Sequence, residues 1–196
     1  MRRFFALVLA MALALACSAC GGGDNRARTE AFFTQAQEAA SISLEAELTA
    51  LSGEKILEYT LSCGYTDHEA QVCVLSPESL AGITAAVSGQ ELELAYQGAA
   101  LETQLLTEGG IAPVSVLPLM LAAMETGPLD RLGKGDWEGE DCITAELLVE
   151  DSLTVALWLE EESLTPRYGE LWENGSRTAW WTVTAWELVP GTESGT

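Results

Sequence analysis

The side chains in this 196-residue sequence with the most chemistry to offer are one histidine, five cysteines and 30 carboxylates. His68 could serve as a general base. It lies, however, in the turn-like stretch Gly64-Tyr65-Thr66-Asp67-His68-Glu69, and no G-x-S-x-G nucleophile element accompanies it. Gly133-Lys134-Gly135 is not a phosphate loop, because Gly rather than Ser or Thr follows the lysine and the preceding spacing is wrong. Glu140-Asp141 and Glu150-Asp151 offer paired carboxylates for acid–base work or weak calcium binding, but among 30 acids such adjacency is expected by chance. Zinc is poorly served too, since there is no C-x-x-C pair and only a single imidazole. These residues predict a protein that is not an enzyme and uses no metal or cofactor.

The N-terminal residues carry information about location. Arg2 and Arg3 precede an apolar run, Phe4 to Ala16, of signal-sequence length and short of the roughly 20 residues that a membrane-spanning helix needs. Small residues then lead to Cys17, Ser18, Ala19 and Cys20, followed by Gly21-Gly22-Gly23-Asp24. This segment resembles a bacterial lipoprotein signal peptide, in which a small residue precedes the cysteine that is acylated and heads the mature chain. The resemblance implies lipidation of Cys20, with Cys17 as the alternative site; a secretory signal cleaved without lipid is the other reading. The chain is therefore expected to be extracytoplasmic and anchored to the bacterial membrane. Its expected organisation is a signal peptide over 1–19, a flexible linker over 20–28, one folded domain over 29–190 and a disordered tail over 191–196.

A formal net charge of −21 excludes the basic footprint that binding of nucleic acid requires. It also opposes broad docking on anionic lipid headgroups, which leaves the acyl anchor as the expected membrane contact. With 48% hydrophobic residues the chain can fill a core. Export makes disulfides possible. If a hairpin is centred on His68, Cys63 lies directly opposite Cys73, at a separation a disulfide can span. Two small buried thiols are the competing reading, and Cys142 has no evident partner.

Thr29 to Ala40 has helical spacing of Phe32, Phe33, Ala36 and Ala39/Ala40. From Ile42 the period becomes two: Ile42, Leu44, Ala46 and Leu48 alternate with Ser43, Glu45, Glu47 and Thr49, the pattern of a strand with one dry face. Strands follow near 57–63, 70–75, 82–87, 92–96, 99–101, 139–149, 153–160, 168–173 and 178–188. Gln97-Gly98 and Asn174-Gly175 are two-residue hairpin turns. Centring the last hairpin on Asn174-Gly175 pairs Tyr168 with Trp181, and Trp172 with Arg177 as a cation–π contact, with Trp180 and Trp186 on the opposite face. So many antiparallel strands predict a curled sheet or barrel. Ile111 to Met124 interrupts them without a single charge. It predicts a helix capped by Ser115, with Pro118 in its first turn and Gly127 ending it, that must be buried or must cover something apolar.

The order of these elements, with Leu157-Trp158-Leu159-Glu160 and then Leu164-Thr165-Pro166-Arg167 leading into a Glu-Asn-Gly-Ser-Arg hairpin, resembles the LolA-like lipoprotein-carrier superfamily, including the GerS-type lipoproteins of Gram-positive bacteria. That resemblance implies a mainly antiparallel, incomplete (half) β-barrel wrapped over an apolar helix. It also implies an apolar groove for acyl chains or for an apolar segment of a partner. Leu117, Met120, Leu121, Met124, Trp158 and Trp181 are the expected groove residues. The alternative is a protein–protein scaffold for a cell-envelope partner, with a filled core and no lipid ligand.

Overall fold

The computed structural model describes residues 21–104, 106–107 and 110–191. Cys17, Cys20 and the tail 192–196 lie outside the described residues. Helix α1 (Gly21–Gln37) leads into strands β1 (Ala39–Ser52), β2 (Lys55–Thr66), β3 (Glu69–Ser76), β4 (Thr84–Ser88), β5 (Glu91–Tyr96) and β6 (Ala99–Gln104). A two-stranded pair, β7 (Leu106–Thr107) and β8 (Gly110–Ile111), and a 3-10 turn (Pro113–Ser115) then carry the chain into α2 (Val116–Thr126). Strands β9 (Leu129–Trp137), β10 (Glu140–Glu150), β11 (Leu153–Glu160), β12 (Pro166–Glu173) and β13 (Ser176–Pro190) complete it. Helix α1 starts earlier than its apolar spacing predicts, so residues 21–28 are helical rather than a flexible linker. Two arginines tie this segment down: Arg26 pairs with Glu30 at 2.9 Å, and Arg28 donates to the carbonyls of Glu161 and Glu162 at 2.9 and 3.0 Å.

Eleven strands form one sheet in the order β6-β5-β4-β3-β2-β1-β13-β12-β11-β10-β9. All its pairings are antiparallel, and β1 against β13 joins the two meanders. The sheet does not close, and both helices pack on one face, an incomplete barrel of the kind the resemblance implies. Registers explain why this face is dry. One row of partners runs Leu57, Ala50, Ala179, Leu171, Val155 and Leu147 across six strands. The next runs Tyr59, Leu48, Trp181, Gly169, Leu157 and Ala145. Along most strands every second residue is apolar, so the rows stack into one core. Gly169 is required there by space: a side chain at 169 would collide with the indole of Trp181.

Turn geometry and bulges correct the expected pairings. The β2–β3 turn is centred between Asp67 and His68, at φ 52° and 65°, and not on His68. That half-residue shift places Cys63 opposite Val72 and Cys73 opposite Ser62, on opposite faces, and all three described cysteines are free thiols. The disulfide expected between Cys63 and Cys73 is therefore not formed. In the last hairpin Asn174 and Gly175 do turn with positive φ, and Trp172 does face Arg177. A bulge between Leu171 and Trp172 then moves the register by one, so Tyr168 faces Thr182 and Trp181 faces Gly169. A second bulge, at Glu45/Ala46 against Val183/Ala185, returns Trp186 to the core side beside Leu44. Strand β9, through Gly133-Lys134-Gly135, gave no alternation to read. Gly133 and Gly135 serve packing: a Cβ at 135 would meet Thr144 at 2.7 Å and the Trp158 indole nitrogen at 3.2 Å.

Burial pushes the Cys63 thiol up to about 12 and also raises Cys142. Half-buried Cys73 should therefore be alkylated in the native protein, while Cys63 and Cys142 react only after denaturation. Mass spectrometry of the alkylated, non-reduced protein reads this directly; a mass lower by two hydrogens, with Cys63 and Cys73 joined, would contradict the register.

Candidate functional site

The apolar helix and the sheet face beneath it are where a ligand would have to enter. Helix α2 is apolar as far as Met124, and eight of its residues are buried: Leu117 and Met120 are 0% exposed, Leu121 1% and Met124 2%. Trp181, beneath it on β13, is 0% exposed. These five expected groove residues do come together, but as a filled core, because side chains from α2 already occupy the concavity. The sixth, Trp158, is not among them. Leu153, Val155, Leu157 and Leu159 of β11 point inward, so Trp158 stands on the outer face.

The ends of α2 explain how it is held. Ser115 occupies the N-cap position, but its hydroxyl makes no capping bond and is buried without a partner. The start is instead set by the 3-10 turn, in which the Ser115 N–H donates to the Ala112 carbonyl at 2.8 Å. Gly127 ends the helix at φ −69°, so it is not there for left-handed backbone. A side chain at 127 would collide with the carbonyl oxygens of Ala123 and Leu148. At this end, Glu125 accepts hydrogen bonds from the Tyr65 hydroxyl and His68 Nδ1, and its backbone carbonyl accepts from Gln37. The single histidine thus serves as a tie between the β2–β3 turn and α2. At the other end, Ile111, Pro113 and Val116 face Leu57, Leu171 and Ala179 across a pocket of about 230 Å³.

The outer face holds a cluster that the sequence reasoning did not assemble. Glu170, only 8% exposed, accepts from the Tyr168 hydroxyl at 2.8 Å, Trp172 Nε1 at 2.9 Å and Arg177 Nη1 at 2.6 Å. Arg177 lies 4.3 Å over Trp180, so the cation–π partner is Trp180 rather than Trp172. Trp137 stacks on Tyr168 at 3.9 Å, and Trp158 meets the same ring edge-on at 5.1 Å. The i, i+2 spacing of Tyr168, Glu170 and Trp172 was the available signal: in a strand it places all three on one face. Burial, and then the Glu170 carboxylate, pushes the Tyr168 phenol up to about 12.

No protein-family model matches the chain, and no curated protein matches it in sequence. Solved structures do match in shape. An uncharacterised conserved protein from Thermus thermophilus is similar at TM-score 0.51 and 11% identity, over 86% of this chain and 91% of that one. A Vibrio parahaemolyticus domain assigned to outer membrane lipoprotein sorting is similar at TM-score 0.50 and 9% identity, over 85% and 93%. A LolA superfamily protein from Nitrosomonas europaea is similar at TM-score 0.43 and 13% identity, over 84% and 95%. At these identities the likeness concerns the fold alone.

Two outcomes follow from this packing. Leu121→Ala should cost about 2–5 kcal/mol in urea denaturation, as truncation in a filled core does; a loss below about 1 kcal/mol would mark the position as the wall of an open groove. Because the folded phenol of Tyr168 binds its proton more tightly than the unfolded one, its contribution to stability is whole below pH 10 and disappears as pH rises through about 12. Tyr168→Phe should reduce that alkaline loss, leaving the parts due to Tyr65, Cys63 and Cys142, which burial also raises. An unchanged alkaline profile would remove Tyr168 from the account.

Proposed function

We propose that this chain is a non-catalytic binding protein of the cell envelope, held outside the cytoplasm by a lipid on Cys20, whose ligand is another envelope protein. One observation carries the reading: five of the six residues expected to wall an acyl groove are 0–2% exposed and packed into the core. Binding must then occur on the surface, where charge and aromatic side chains are concentrated. The shared fold with a domain assigned to lipoprotein sorting supports a role among envelope lipoproteins and their partners.

A second reading has an observation of its own. The pocket of about 230 Å³ beside Ile111, Pro113 and Val116 leads toward the N-terminal end of an apolar helix. Acyl chains entering there would have to displace α2, gaining about 0.8 kcal/mol per buried CH₂ while disrupting the packing of the helix on the sheet.

Native mass spectrometry of the protein purified from membranes separates the two. The surface reading predicts a covalent acyl group at Cys20, no non-covalent lipid and a stoichiometric protein partner that co-purifies. Cys20→Ser should release the chain from the membrane fraction. A non-covalent lipid bound in one-to-one ratio would overturn this reading in favour of the second.

A further inference from the structure

Resting on the surface reading, the geometry points to a specific docking site: the outer face of β1, β2 and β9–β13, shaped to receive a basic segment of a protein partner. The strand registers align this face into two rows. One runs Glu58, Thr49, Trp180, Glu170, Ala156 and Glu146. The other runs Thr60, Glu47, Thr182, Tyr168, Trp158 and Thr144. Both rows are the reverse side of the two that build the core.

Trp137, Trp158, Trp172 and Trp180 all stand on this face, each partly exposed. Flat, rigid rings with little rotamer entropy to lose are what interface centres use as anchors. The Glu170 cluster fixes them in place: Arg177 and Trp172 are both bound to one buried carboxylate. Two depressions of about 320 Å³ each flank the aromatic strip. One is bounded by Trp137, Glu138, Glu140, Asp141, Glu160 and Arg167, the other by Glu47, Thr49, Glu58 and Thr60.

Charge selects the occupant. The cations on this face are already used, Arg131 by Glu146, Arg167 by Glu160 and Arg177 by Glu170. Glu47, Glu58, Glu138, Glu140 and Asp141 form no ion pair among the described residues. An aromatic strip between two depressions rimmed by unpaired carboxylates is complementary to lysine and arginine side chains, which can stack on the indoles and pair at the rim. A second copy of a chain with net charge −21 would meet like charge, and an anionic lipid surface would be repelled in the same way.

The test titrates the full chain in neutral detergent with a twelve-residue peptide of alternating Arg and Ser, read by tryptophan fluorescence and calorimetry. Glu47→Gln/Glu58→Gln removes two carboxylates from the face; Glu91→Gln/Glu93→Gln removes the same charge from β5. The first variant should weaken binding about tenfold, the second less than about twofold, and Trp180→Ala should weaken it without any change in net charge. Affinity should fall as salt rises. Equal losses for both charge variants, meaning diffuse attraction, would overturn the site, as would the absence of peptide binding. Self-association in ultracentrifugation, or binding to vesicles containing phosphatidylglycerol in preference to the peptide, would assign the face to another occupant and overturn it too. Lipid found inside the protein would end the surface reading while leaving face-specific peptide binding intact, so the two ideas fail separately.

Discussion

A helix with no charge between Ile111 and Met124 cannot face water, and the rest of the molecule is arranged around its burial. Eight residues of α2 are buried, from Val116 to Met124. Each large apolar side chain so placed contributes about 1.5–3 kcal/mol. A flat sheet could cover only one side of such a helix; an open, bent sheet with α1 laid alongside covers the remainder. Trp181 marks where the fit is tightest, because its indole occupies the space left by the missing side chain of Gly169. A larger residue at 169 and an indole at 181 exclude one another, so the pair fixes the register of β12 against β13.

Filling the concave side has a consequence for the convex one. With apolar residues committed inward, the carboxylates stand on the outer face, at the sheet edges and on the helices, as Glu30 and Glu125 do. The excess of acids over bases then becomes a property of a surface and not of the molecule at large. Glu170 is the exception that organises this surface. Its burial is tolerated because three donors converge on it. A carboxylate left without those donors would instead have to sit in water like its neighbours.

Much of the architecture was legible in the sequence, and the reason is periodicity. Ile42, Leu44, Ala46 and Leu48 announce β1 by alternation alone, and Asn174-Gly175 announces its hairpin through positive φ at both positions. What alternation does not announce is an inserted residue. Two bulges in β13, at Thr178 and Thr184, moved Tyr168 away from Trp181 and Trp186 onto the core side, and a turn set half a residue earlier separated Cys63 from Cys73. The groove was half legible. Five of its six residues, four on α2 and Trp181 on β13, share one core, yet composition cannot distinguish a greasy cavity from a greasy core, since both need the same residues. The cluster around Glu170 was partly legible, through the spacing of Tyr168, Glu170 and Trp172, but Trp137 and Trp158 come from β9 and β11 and join it only through the fold.

The closure of α2 onto the sheet is tested most directly by hydrogen exchange at its backbone amides. The account predicts that the amides of Met120 to Met124 exchange only when the whole protein unfolds, with an opening free energy equal to that from urea denaturation. Exchange of α2 through a cheaper, local opening, while the amides of β1 and β13 stay protected, would contradict it and make the helix a door.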